Sequence, residues 1–465
     1  MPRVVMIPTA RFTFATDTAR QLTEAARGLA ADLGAEVTGP PGLVMSEMDV
    51  AAAAGYLDRD ADLVINVCAT FADATPALRL YRNLGRPVLL WAFREPGAAG
   101  DRLWLNSLCG AVLFAHAIVR GGGEARLLYG DPGEPEVRDA LRAALAGRLP
   151  EAVPAADPGR PRGSAATARA ALASLRDKTI GLIGDPPAGY TPSEYDPRLL
   201  TRLFGLRIRQ RTVEETFWQV RDAAPAARDA EQAAACAAQP SLCALDPEQV
   251  SLSAGVTTGL RDWVESEKLD AVTMRCWPEF PVQLGVAPCS ALSRLADAGI
   301  PTACERDVYG ITTMLLLEAL GSGPTYLVDT PVDLDAEASL VRLWHCGSAA
   351  TSLAADPAAA TQSVHCNRKI GVAGDFALKT GRVVIARLAE DGAGLRLLIA
   401  SGESLPEPNR FQGNTAAIRL DTPAGQFARA MVSGGFPHHT VLAWTDVRPQ
   451  LRAAADLLGI GVREW

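Results

Sequence analysis

The sequence predicts an α/β protein: two doubly wound α/β domains followed by a β-rich antiparallel C-terminal domain. Short apolar, strand-like runs alternate with helical stretches twice over, the pattern of parallel strands joined by crossover helices. A Pro-, Gly- and Ala-rich stretch without apolar periodicity, GRLPEAVPAADPGRPRGSAATAR at 147–169, separates the two alternations as a connector would. Past about residue 335 the helical component thins and strand-rich runs take over. With 465 residues the chain is too long for a single core, and the expected domains are 1–155, 165–335 and 336–465.

In the first domain the strands are expected at VVMIP (4–8), DLVINVCATF (62–71), PVLLWAF (87–93) and ARLLYG (125–130), with helices around 17–33 and 76–84 between them. The second alternation runs through TIGLIGD (179–185), LRIRQR (206–211), DAVTMRC (270–276), PTACE (301–305) and TYLVD (325–329). Its helices are expected near 224–238, 247–267, 289–298 and 310–320. In the last part, RVVIARLAEDGAGLRLLIASGE at 382–403 is two β-rich runs around an Asp/Gly turn, a hairpin signal. GNTAAIRL (413–420), a helix at 423–432, HTVLAW (439–444) and a helix at 447–458 complete the chain.

A net charge of −8 and the lack of any Lys/Arg run exclude nucleic acid and anionic membrane as partners. No apolar run reaches the 18 residues a membrane span needs, and the start MPRVVMIPTARF reads as a first strand, so a soluble, cytoplasmic protein is expected. Nine cysteines with no CxxC pair read as reduced core thiols.

Chemistry concentrates in three segments. ACERDVYG (303–310) and TYLVDT (325–330) each put a carboxylate, Glu305 and Asp329, just after an apolar run. Open α/β sheets bind ligands at such strand ends. GGFPHHT (434–440) adds His438 and His439, expected to enter a strand with their rings on opposite faces, so that only one of them can face a given site. Two carboxylates and an imidazole that converge make a divalent-metal site. RCWPEF (275–280) offers Arg275 and Trp277 at another strand end, and Arg11 in TARFTF with Asn106 in RLWLNSLCG does the same in the first domain. The bland alternatives are a Glu305–Arg306 ion pair, a capping Asp329 and a core Trp277. TIGLIGDPPAGY lacks the full glycine fingerprint and runs into two prolines, so it reads as a tight turn and not as a phosphate cradle.

Together, ACERDVYG, TYLVDT, the WHCG segment at 344–347 and the late GGFPHHT resemble the L-fucose isomerase and L-arabinose isomerase superfamily, most firmly from about 270 to 444. The resemblance implies two α/β domains with a β-rich third, a homo-oligomer, and a divalent ion, usually manganese with magnesium or cobalt as substitutes. Its ligands would be Glu305, Asp329 and His439, with His345 as a further ligand or pocket residue. The implied reaction is aldose–ketose isomerisation of a sugar through a cis-enediolate, with Glu305 and Asp329 as the proton-transferring groups. Hard carboxylates beside imidazole suit manganese or magnesium better than zinc. Arg11, Arg275, Trp277 and His438 would contact substrate. One departure is Arg306, where relatives carry a smaller polar residue; with Arg275 it would suit an anionic sugar. The rival readings are a metal-assisted sugar epimerase or retro-aldol enzyme, a non-haem iron oxygenase, and a sugar-binding protein without catalysis.

Overall fold

In the computed structural model, which describes residues 1–57, 60–154, 164–392 and 394–465, the chain builds three sheets. Residues 155–163, inside the expected connector, lie outside the described residues. The first sheet contains β1 (Arg3–Thr9), β2 (Glu36–Thr38), β3 (Leu63–Cys68), β4 (Val88–Ala92) and β5 (Ala125–Tyr129), all parallel, in the order β2-β1-β3-β4-β5. Strands β3 and β4 are buried at every position, as both faces of a parallel sheet are covered by crossover helices. The second sheet repeats this scheme with β6 (Thr179–Ile183), β7 (Arg207–Arg211), β8 (Ala271–Met274) and β9 (Thr302–Ala303), in the order β7-β6-β8-β9. In each sheet the strand order reverses between the first strand and its inner neighbour, and the crevice above such a reversal is where α/β folds bind ligands.

The third sheet holds β10 (Thr325–Asp335), β11 (Leu340–His345), β12 (Thr361–Val364), β13 (Gly371–Ala377), β14 (Gly381–Asp391), β15 (Gly394–Leu405), β16 (Asn414–Leu420), β17 (His439–Ala443) and β18 (Gly461–Glu464). Its order is β12-β13-β16-β11-β10-β17-β14-β15-β18, and an additional pairing of β15 with β16 closes the six strands between them into an antiparallel barrel. Closure removes the open edges that a free sheet would have to protect. The β14–β15 hairpin matches the expectation at 382–403, with Asp391 facing Gly394 across the turn.

The segment at 325–329 is not a parallel strand of the second sheet. It opens β10, which pairs antiparallel with both β11 and β17. An apolar run buried along its length looks the same in either setting, so the sequence did not distinguish them. Asp329 therefore lies within a barrel strand and not at the end of an α/β strand. Among the described residues no helix is long and apolar enough to cross a membrane, and all nine cysteines are unpaired.

Two buried acidic groups, Glu95 and Asp307, organise these layers. Glu95 accepts the backbone N–H groups of Trp104, Leu105 and Asn106, which shapes the chain entering the helix Ser107–Arg120. Arg387, on β14, is fully buried against Asp307, which follows β9, so the barrel and the second sheet share an ion pair removed from water. Replacing one partner of such a pair strands the other charge. We expect Glu95→Gln, which turns an amide N–H toward those donors, to lower the unfolding free energy by about 1–3 kcal/mol in urea titration. Arg387→Met is expected to cost about 3–5 kcal/mol, with part of the loss recovered in Arg387→Met/Asp307→Asn.

Candidate active site

Glu305 follows the short strand β9 in a turn where both it and Arg306 have φ of +59°. Neither is glycine, and each left-handed residue of this kind costs on the order of 1–3 kcal/mol unless its surroundings hold it. They do. The Arg306 Nε donates to the Gly184 carbonyl at 2.7 Å and its Nη1 to the Ser193 carbonyl at 3.2 Å, while Ser193 Oγ donates to the Glu305 carbonyl at 2.5 Å. The result turns the Glu305 carboxylate toward the barrel, where it accepts from Trp277 Nε1 at 2.6 Å and from the Tyr190 hydroxyl.

The barrel supplies the facing groups. Asp329 on β10 lies directly across from His439 on β17, and residues opposite each other in an antiparallel pair put their side chains on the same face. His439 Nε2 is 3.1 Å from Glu305 Oε2 and 3.4 Å from Asp329 Oδ1. Its other nitrogen, Nδ1, is 2.9 Å from Asp307 Oδ2. His345, the last residue of β11, has a ligand atom that falls in one group with those of Asp329 and His439, all within 4.8 Å of one another. The His345 Nδ1 accepts the Cys346 N–H at 2.9 Å.

His438 precedes β17, so the strand alternation does not govern it, and the expectation that only one of the two rings can face the site is corrected. The ring centroids of His438 and His439 are 4.4 Å apart. His438 Nε2 lies 3.0 Å from the Tyr190 hydroxyl and 3.6 Å from Asp329 Oδ1, and its buried Nδ1 has no hydrogen-bond partner among the described residues.

The electrostatics follow from this packing. Burial acts to keep Glu305, Asp307 and Asp329 protonated, and it is overridden: His439 holds Glu305 and Asp329 below the ordinary carboxylate range, and Arg387 with His439 does so for Asp307. Burial likewise works against a charge on His439, but hydrogen bonds to Asp307, Asp329 and Glu305 raise it well above an ordinary histidine. Burial, with the neighbouring His439, pushes His438 down to about 3, and burial also lowers His345. One imidazolium thus sits among three carboxylates with neutral imidazoles around it.

The N-terminal sheet completes the cleft within the same chain. Asn106 Nδ2 donates to Asp329 Oδ2 at 3.1 Å, and Arg11 and Phe71, beyond the ends of β1 and β3, line the wall with Trp277, His345 and His438. The cleft, counted together with the open solvent at its mouth, spans about 740 Å³. Glu305, Asp329, His345, His438, His439, Trp277 and Arg11 are therefore brought together around one cleft. Arg275 and Arg306 are not. Arg275 pairs with Glu279 at 2.6 Å and faces a separate depression, and Arg306 is spent on the turn carbonyls, so neither reaches the cleft and Arg306 forms no pair with Glu305.

Four contributors were not read from the sequence: Tyr190, Asp307, Arg368 and Arg387. Tyr190 ends the TIGLIGDPPAGY segment, whose only legible signal was a turn after a strand, and Asp307 lay in plain view two residues beyond Glu305. Two groups, Glu305 with His438 and His439 and Asp329 with His345 and His439, each bring ligand atoms within 4.8 Å of one another and share His439, so they could hold a cation. Asp307 fixes His439 from behind, the usual outer support of a metal-binding imidazole, and this leaves Nε2 aimed at two carboxylates.

No family model matches the chain. It is 30% identical over 464 residues to a sulfoquinovose isomerase of Alkalicoccus urumqiensis, covering 100% of this chain and 99% of the relative. It is also 29% identical over 415 residues to a sulfoquinovose isomerase of Priestia aryabhattai, 88% of each. A shorter match, 29% over 182 residues, is to an L-arabinose isomerase of Aeromonas hydrophila subsp. hydrophila, 37% of this chain and 36% of the relative. A full-length likeness at this identity, on a cleft that joins two carboxylates to a histidine pair, means that the chain belongs to the sulfoquinovose isomerase family within the L-fucose and L-arabinose isomerase superfamily, and is an aldose–ketose isomerase.

Proposed function

We propose that this enzyme interconverts an anionic aldose of the sulfoquinovose type, a hexose with a sulfonate on C6, and the corresponding ketose, with a divalent cation held by Glu305, Asp329 and His439. The observation that carries the reading is the approach of the His439 Nε2 to both carboxylates, at 3.1 and 3.4 Å. Manganese, magnesium and cobalt all suit this donor set. When bound there, such an ion would supply a Lewis acid for the developing charge on the sugar oxygens.

The protein groups do the proton work. Isomerisation moves one proton between C2 and C1 and another between the two oxygens, through a cis-enediolate. Glu305 and Asp329 are both ionised, so either can accept the carbon-bound proton and return it to the neighbouring carbon. Trp277 and Asn106 fix the two carboxylates from opposite sides of the cleft. His345 serves as a donor and not as a ligand. With its Nδ1 accepting the Cys346 N–H, the neutral ring carries its proton on Nε2 and can donate it to a sugar oxygen. Tyr190, whose hydroxyl touches Glu305, His438 and His439, is placed in this scheme to pass a hydroxyl proton.

Incubation of the metal-loaded protein with sulfoquinovose is expected to yield the 2-ketose of unchanged carbon number by NMR. An epimeric aldose or shorter fragments would reject isomerisation of this substrate. Chelation should abolish turnover and manganese should restore it; full activity in a protein shown to be metal-free would overturn the cation. Glu305→Gln and Asp329→Asn are each expected to lower kcat by about 10²–10⁴-fold.

A further inference from the structure

Two guanidinium groups in the wall of the cleft make no direct ion pair among the described residues, although the carboxylates of Asp73 and Glu305 attract Arg11 from a distance. Arg11, past the end of β1, and Arg368, in the turn after β12, line the same space as Glu305 and Asp329. Their guanidinium carbons lie 4.5 and 5.5 Å from the centroid of the Trp277 ring. Among the described residues neither guanidinium has an ion pair or donates a hydrogen bond. Other half-buried arginines have acceptors in reach: Arg94 has Glu134, Arg275 has Glu279, Arg342 has Asp333 and Glu407, and Arg306 has the Gly184 and Ser193 carbonyls.

Leaving two cations together in a partly dehydrated wall is unfavourable, and it shows. Burial and the charge of Arg368 both lower Arg11 from its ordinary value. The turn that carries Arg368 is nonetheless built to stay in position. The Nδ1 of His365 accepts the backbone N–H groups of Asn367 and Arg368 at 3.3 and 3.4 Å, and burial, with Arg368, holds that ring down to about 3, so it remains a neutral acceptor.

We infer that Arg11 and Arg368 form a guanidinium clamp for a terminal oxyanion on the substrate, with Trp277 as the spacer between that anion and the proton-transferring carboxylate. The indole joins the two ends directly. Its Nε1 holds Glu305 at 2.6 Å while its ring lies beneath both guanidinium groups. A six-carbon sugar carries its reacting C1 and C2 at one end and C6 at the other, so the anion belongs on C6. The planar forks of two arginines match the three oxygens of a sulfonate or a phosphate. The inference rests on the isomerase reading of this cleft, and it moves anion recognition from Arg275 and Arg306, which point elsewhere, to a pair of which only one member was visible in the sequence.

The test uses the full metal-loaded enzyme and sugar alcohols, which lack a carbonyl and bind without turnover. Calorimetry compares glucitol with its C6-sulfonated and C6-phosphorylated forms. Both anionic forms are expected to bind more tightly than glucitol, and Arg11→Gln or Arg368→Gln should each shrink that advantage by about 10- to 100-fold, with the loss in turnover falling on KM more than on kcat. Arg368→Lys is expected to regain part of the advantage, and Arg275→Gln to leave it intact. The clamp is overturned if glucitol binds as tightly as its anionic forms, or if the natively folded Arg11→Gln/Arg368→Gln variant keeps their advantage. Comparison of the two anionic alcohols tells which oxyanion the clamp takes. Because binding is read without catalysis, a failure of the isomerase reading would register separately, as the absence of ketose from the sugar itself.

Discussion

The constraint on which the structure turns is charge balance around one buried imidazole. His439 has no exposed surface, yet three carboxylates approach it within 3.4 Å. Such a concentration of negative charge out of water is tolerable only with matching positive charge. Arg387 supplies one part from β14, and a proton on His439, or a cation in that proton's stead, supplies another. The same feature thus explains why the barrel and the second sheet are locked together at the floor of the cleft. Stability and chemistry here draw on the same few groups.

Much of the fold was legible because the parallel sheets depend on local signals. Short, mostly apolar runs such as LVINVC and VLLWA fit buried strands by their length and their β-branched content, and their spacing leaves room for crossover helices. The barrel was harder to read. TYLVD carries the same apolar signature, and only long-range pairing with β11 and β17 decides its place. The site divided in the same way. Glu305, Asp329 and His439 stood out because carboxylates and adjacent histidines are rare next to apolar runs. Tyr190 and Arg387 act through partners more than 75 residues away in sequence, and no local pattern announces such a contact. Arg275 and Arg306 misled because a guanidinium beside a strand end looks available until its partners, here Glu279 and two turn carbonyls, are seen.

The backbone at Glu305 deserves the same physical reading. Two consecutive left-handed residues without glycine are an expense that the neighbouring Arg306 and Ser193 offset through hydrogen bonds to the turn. An arginine that looked like a substrate contact is thus an anchor. It holds an acidic group that must swing out of its own sheet to face the barrel, beside Asp307, which does the same.

Closure of the barrel through the β15–β16 pairing has a consequence for how such enzymes diversify. Asp329, His345 and His439 are mounted on three adjacent staves of a closed cylinder, which resists shear, whereas Arg11, Arg368 and Trp277 ride on connecting loops. Loops can lengthen or swap residues without disturbing the cylinder. The reaction can therefore stay constant while the tail of the sugar that is admitted drifts from one lineage to the next, a division of labour between rigid and variable parts that a single continuous sheet would not permit.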